Sequence, residues 1–305
     1  MAAHLRPLAE TDIRVPIPAE QLLAALQTPP FVLVPGTFNT RDLGLLLLPR
    51  SNPGPGPGPQ ARGIRPGFIF RTGGLESLHR SSDGQAVVRD GLRVRRIFDL
   101  RSREEHARRP DPELDGVENV WLGDEGGGVG SEESPVMDLG PFVEGEGRAG
   151  YVAMYLDVLD RYKGTFREVL RSVRDRPGEA ILFHCTAGRD RTGVLAGLLE
   201  TLAGYDEETV RTDFLLSRIG IEVAREHLLG FARKYSEGVD SNGSSGEFPD
   251  VPGFYNLVSL KTACWDAFVE VVVKEYGGFE GYVTRVLGFS DEDLVKIKRN
   301  LIEDQ

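Results

Sequence analysis

Apolar residues recur along this chain in two periods, and the period sets the elements. Five short runs read as strands: Phe31–Val34, Leu45–Leu48, Gly67–Phe70, Arg96–Leu100 and Ala180–Phe183. A continuous apolar run of four or five residues fits a strand covered on both faces. Between these runs the spacing turns helical. From Tyr151 to Arg174, residues such as Met154, Val158, Tyr162, Phe166, Val169 and Val173 fall three or four apart. That spacing predicts an amphipathic helix, with a break near Gly164. Residues 84–95 read as a helix or turn, Thr192–Leu202 as a buried helix, and Glu207–Leu216 and Leu257–Tyr276 as two more. Ser290, followed by acids at 291–293, is a fitting N-cap for the last helix. Strands alternating with helices predict an α/β fold: a central, mainly parallel sheet flanked by helices, with extra helices toward the C-terminus.

Three stretches interrupt this pattern. Residues 53–59 alternate proline and glycine, which excludes a helix or a central strand, so 51–60 is a loop insertion. Residues 111–147 hold 11 acidic residues, no lysine or arginine, and many glycines, the composition of a mobile loop or lid. Residues 236–253 are rich in Gly, Ser, Asn and Pro and read as a loop. With residues 1–30 as an N-terminal extension, the expectation is one domain over 1–305.

Composition narrows the function. Hydrophobic residues make up 40% of the chain, enough for a real core. The net charge of −11 argues against bulk binding to nucleic acid or an anionic membrane. No apolar run is long enough to span a bilayer, and Met1–Pro18 shows no signal-peptide core. Two distant cysteines, Cys185 and Cys264, make no disulfide framework, so a reducing, cytoplasmic setting is expected. Cys264, beside Trp265 on an apolar helix, reads as core. Arg89, Arg93, Arg95, Arg96, Arg101, Arg103, Arg108 and Arg109 crowd one region, mostly as a solvated face with one or two free to line an anion pocket.

The chemistry concentrates in His184-Cys185-Thr186-Ala187-Gly188-Arg189-Asp190-Arg191-Thr192-Gly193, set between a predicted strand and a predicted helix. At such a junction, backbone N–H groups point inward as an anion nest, and the positive end of the helix faces the same point. The same field favours a thiolate over a thiol. Cys185 is therefore the candidate nucleophile and Arg191, six residues on, the bidentate clamp for phosphate oxygens. Thr186, Ala187, Gly188 and Arg189 line the nest, Gly188 supplying backbone freedom. Thr192 is placed to give its hydroxyl to the sulfur, and His184 to orient the loop. No cofactor is required, and the five histidines have no metal-ligand spacing.

This loop resembles that of the protein tyrosine phosphatase superfamily, and the chain resembles its microbial tyrosine/serine and lipid phosphatase branch. Phe38-Asn39-Thr40-Arg41-Asp42-Leu43-Gly44, Arg65-Pro66-Gly67…Arg71-Thr72-Gly73, and Asp99-Leu100-Arg101-Ser102 with Glu104 or Glu105 are similar to that family's other signatures. The resemblance implies a cysteine-phosphatase-like fold and phosphomonoester hydrolysis through a phosphocysteine. The expected substrates are phosphotyrosine proteins, with phosphoserine, phosphothreonine or phosphoinositides as further options. Arg189 and Asp190 match a basic and an acidic position of the family's loop, and the basic one is usually lysine.

The proton donor stays open between Asp190, which the resemblance favours, Asp99 at a strand end, and Asp124 or Asp138 on the acidic stretch. Asp42 reads as a turn cap, and Asn39 and Arg41 as packing under the site. Two other functions share such a loop: a sulfurtransferase or arsenate reductase, and a non-catalytic phosphopeptide-binding module.

Overall fold

The computed structural model describes residues 2–46, 63–124, 138–237 and 251–303. Its sheet, within those residues, holds β1 (Arg41–Asp42), β2 (Ile69–Thr72), β3 (Val94–Asp99), β4 (Glu118–Trp121) and β5 (Ala180–His184), in the order β1-β2-β5-β3-β4. β1 pairs antiparallel with β2, and every other pairing is parallel. The fold is thus α/β with a mainly parallel sheet.

Side chains of the strands alternate between two cores. Ile69, Phe98, Ile181 and Phe183 enter the larger one, while Phe70, Val94, Ile97, Ala180 and Leu182 enter the smaller. The N-terminal helices α1 (Arg6–Ala9) and α2 (Ala19–Leu26) join the larger core, and α3 (Ser82–Ala86) lies by the smaller. α4 (Arg103–Arg108) follows β3, and α5 (Gly140–Val143) precedes α6 (Arg148–Arg161) and α7 (Lys163–Asp175). Then come α8 (Asp190–Leu202), α9 (Glu207–Gly220), α10 (Arg225–Glu237) and α11 (Phe254–Val258). The chain closes with α12 (Thr262–Tyr276), α13 (Gly278–Arg285) and α14 (Asp291–Ile302). α14 starts with a reciprocal capping box between Ser290 and Asp293.

Several elements differ from the sequence-based expectation. Phe31–Val34 is not a strand; only Phe31 bridges, to Arg41. Of the strand expected over Leu45–Leu48, residues 47–48 lie outside the described residues, and Leu45 ends a 3-10 turn, Leu43–Leu45, which follows β1 because the Asp42 carboxylate accepts the Gly44 N–H at 2.8 Å and the Gly67 N–H at 2.7 Å. The Leu257–Tyr276 helix is two. The Tyr151 hydroxyl donates to the carbonyls of Leu257, at 2.7 Å, and Ser259, so the backbone cannot continue its own ladder. β4 lies inside the acidic stretch, where exposed Glu118 and Asn119 gave no apolar signal. The proline–glycine segment 51–60, residues 125–137 of the acidic stretch and most of 236–253 lie outside the described residues.

β5 sits at the sheet's centre, between β2 and β3, and Thr72, Asp99 and His184 stand level at the strand ends. The crevice of an open parallel sheet forms at this edge, and the cysteine loop leaves β5 into it.

Candidate active site

The loop joins the end of β5 to the start of α8 in a turn that only glycine fits at residue 188. Gly188 has φ of +62°, and a Cβ there would meet the Thr72 carbonyl oxygen at 2.2 Å. Two loop carbonyls are bonded from below. Asn39 Nδ2 donates to the carbonyls of Ala187 at 3.1 Å and Gly188 at 2.9 Å, and Arg71 Nη2 donates to Gly188 at 2.8 Å. The Gly74 N–H holds the Thr186 carbonyl at 3.0 Å. Such bracing of the carbonyls is what an anion nest of loop amides requires.

A buried ion cluster holds Asn39 and Arg71 in turn. Asp213 of α9 accepts from Arg41 Nε at 2.8 Å and from Arg71 Nη1, and Arg41 also donates to Asn39 Oδ1. All three charged side chains are at most 1% exposed. Burial lowers the Arg41 pKa to about 10, which leaves it charged at neutral pH. Burial first, and the Asp213 charge second, push the neighbouring Glu200 carboxyl well above its usual range, so it stays neutral. Two guanidiniums therefore face one carboxylate under the loop. Asn39 itself has φ of 58°, a left-handed backbone that the surrounding bonds enforce.

A second cluster supports the loop beside β3. The His184 Nε2 lies 2.9 Å from Asp111 and 3.8 Å from Asp99, and Arg101 donates to both carboxylates. Burial alone would lower the His184 pKa, but Asp111 and Asp99 outweigh it and raise it to about 9. Asp99 also accepts from Arg101 and pairs with His106, and despite burial its pKa falls to about 2. Asp99, Asp111 and His184 come close enough to share a cation. Arg101 and the charged His184 already meet that negative charge. Most of the arginine-rich segment is solvated, as expected; the exceptions are Arg101, buried in this cluster, and Arg96, buried against Glu118 and Glu168.

The clamp position is fixed by Glu105. Its carboxylate takes Arg191 Nη1 at 2.6 Å and Nη2 at 2.9 Å, and also the Thr186 hydroxyl. Burial would raise the Glu105 pKa, but Arg191 holds it far below the usual range. The Leu100 carbonyl takes Arg191 Nη1 at 3.1 Å. Of the two glutamates open from sequence, Glu105 is the one that reaches the arginine; Glu104 pairs with Arg108.

The Arg189 side chain is engaged on both sides of the loop. Its Nη1 and Nη2 bond the carbonyls of Val258 at 2.8 Å and Leu257 at 3.0 Å, and its Nε bonds Asp190. Arg189 thus forms a strut between the loop and α11 while still lining the cavity. Asp190 also accepts from the buried Tyr155 hydroxyl at 3.0 Å. The Thr192 hydroxyl is buried and has no hydrogen-bond partner among the described residues.

Cys185, Thr186, Ala187, Arg189, Asp190 and Arg191 line one cavity of about 380 Å³. Asp124 reaches its edge, while Asp99 and Asp138 do not line it. The rest of the wall is mostly apolar, with Met154 and Val158 from α6, Leu228 and Leu229 from α10, and Leu257 and Val258 from α11. Sequence reasoning missed this wall, and it missed Asp213 and Tyr155. α10 was not predicted, although Leu228, Leu229 and Ala232 carry the helical spacing that would have found it.

Comparison with known proteins agrees with this geometry. Residues 32–303 match the model of the tyrosine phosphatase family. A tyrosine-protein phosphatase of Nostoc commune is 26% identical over 229 residues, covering 73% of this chain and 71% of that protein. A triple specificity protein phosphatase of Mycobacterium tuberculosis is 24% identical over 295 residues, covering 88% of this chain and 98% of that protein. No helix among the described residues is long and apolar enough to cross a membrane. With a cysteine loop braced on three sides at the centre of a mainly parallel sheet, and a family model matched over residues 32–303, this chain belongs to the tyrosine phosphatase family.

Proposed function

We propose that the chain hydrolyses phosphomonoesters through a phosphocysteine on Cys185, with phosphotyrosine in proteins as its main substrate. One observation carries this: Cys185 and the Glu105-held Arg191 line one cavity whose remaining wall is mostly apolar. Such a cavity suits an aryl body whose phosphate must reach the nest. Its 380 Å³ also leaves room for the shorter side chains of phosphoserine and phosphothreonine with their flanking peptide.

The sulfur attacks phosphorus in line while the leaving oxygen departs on the opposite side. The transferred group spreads its charge over three equatorial oxygens, which the loop N–H groups and Arg191 bind. Asp190 lines the same cavity and gives the leaving oxygen its proton. Asp99 does not line the cavity, and its carboxylate is taken up by Arg101 and His106. Water then attacks the phosphocysteine, with Asp190 taking its proton, and the Thr192 hydroxyl donates to the departing sulfur. The alternatives of a sulfurtransferase, an arsenate reductase or a binding module rest on the loop alone. Family membership and the joint presence of nucleophile, clamp and acid in one cavity support ester hydrolysis.

The test is direct. Cys185→Ser should lower kcat on an aryl phosphate by on the order of 10⁴-fold or more while retaining phosphate binding. Turnover at the wild-type rate would sink the mechanism. Asp190→Asn should cost about 10²-fold or more with an alkyl phosphate and much less with a nitrophenyl phosphate, whose leaving group needs no proton. Equal losses on both would remove Asp190 from the role.

A further inference from the structure

The cavity's charges set a limit on what it can hold. Four arginines line it, Arg161, Arg189, Arg191 and Arg225, and so do four carboxylates, Glu105, Asp124, Asp157 and Asp190. Each arginine is already engaged. Arg191 is held by Glu105, and Arg189 by Asp190 and the α11 carbonyls. Arg161 pairs with Asp157 at 2.8 Å and lies 3.8 Å from Asp124. Arg225 donates to the Ile13 carbonyl at 3.0 Å and lies beside Glu222 and Glu226. Among the described residues, then, the lining has no surplus positive charge beyond the loop amides and the helix end. Those donors belong to the one loop at which a single phosphate would sit. The remaining wall is apolar and offers area but no neutralisation.

We propose that this site selects one phosphomonoester on an apolar or aromatic body and rejects a ligand carrying a second phosphate nearby. Asp157 is a specificity-determining residue in this scheme, because it neutralises Arg161 at the mouth. The inference deepens the phosphatase reading and rests on it. Arg191, though held by Glu105, stands in the first turn of α8, where the helix end adds to its charge; Arg161, paired with Asp157, ends α6, where the helix dipole opposes an anion, and a second dianion there faces Asp157 and Asp124. An inositol headgroup with several phosphates is the natural form of the rejected ligand. The Arg189 strut removes the other cation that could have served it.

The experiment compares two small ligands with the same body, 1-naphthyl phosphate and a naphthalene bisphosphate. Binding to full-length Cys185→Ser protein is measured by calorimetry at low salt. The monophosphate should bind about tenfold more tightly. Equal or tighter binding of the bisphosphate would overturn the proposal. In the same background, Asp157→Asn should narrow the gap by about threefold, the scale of an exposed ion pair. Asp157→Lys, which adds a second charge step, should close or invert it. A gap unchanged in both variants would remove Asp157 from the role. Release of phosphate from 1-naphthyl phosphate by the wild type is scored separately. Its absence defeats the phosphatase reading whatever the two affinities are.

Discussion

The floor and the wall of the cavity are built from opposite materials. The floor is polar and buried: Asn39, Arg41, Arg71 and Asp213 lie under the loop with almost no exposure. The wall is apolar and helical, from Met154 and Val158 of α6 to Leu228 of α10 and Leu257 of α11. The difference follows from what each has to hold. A nest of amides works only if its carbonyls are held in one orientation, and directional bonds do that. A substrate body needs contact area, which apolar side chains supply without fixing one geometry. Buried ion clusters are costly to break, whereas wall residues can be exchanged one methylene group at a time.

The largest test of this contrast strikes the floor. Asp213→Asn leaves Arg41 and Arg71 buried without their carboxylate, so denaturant unfolding should show a loss of about 3–5 kcal/mol. A loss below 1 kcal/mol would mean that the cluster behaves like a surface pair. The wall should respond differently. Leu228→Ala removes part of a half-buried contact, so KM for an aryl phosphate should rise by up to about tenfold with kcat nearly unchanged. An equal fall in kcat would show that the wall also shapes the loop. The smallest effect is a slope. His184 carries a raised pKa of about 9, so the folded state prefers its protonated form. Its stabilisation is complete below the unfolded value of about 6.5 and is lost as pH rises through about 9. The melting temperature should fall across that window, and less so in His184→Asn. A flat profile would mean that the two aspartates do not hold the charge.

The same contrast explains what was legible in the sequence. Cys185, Arg191 and Gly188 stand within seven residues, so one local pattern announces them, and the strand before and helix after were readable from their apolar runs. Asn39 and Arg41 were expected beneath the site, and they are there. Asp213 was not foreseen, because it sits within an ordinary helix and takes its meaning from β1 and β2, far away in the chain. Arg189 shows a related limit: its place in the loop is legible, but its bonds to the carbonyls ending α11 depend on a helix 68 residues away and are not. The break at residues 259–261 was unreadable for the same reason, since Tyr151 and Arg189 create it from outside. The edge of the sheet was misplaced because β1 is two residues long and polar, with no apolar run to mark it.

Asp213 lies 172 residues from Arg41 and 142 from Arg71 in the chain. The loop's shape therefore depends on contacts that a growing polypeptide cannot make until α9 has emerged. Contacts of such long sequence separation are late and slow to form. During synthesis the segment His184–Gly193 can be fully present as sequence and still have no floor. The braced loop is then a product of the finished fold, and a nascent chain with its cysteine already made still lacks the proposed catalytic site.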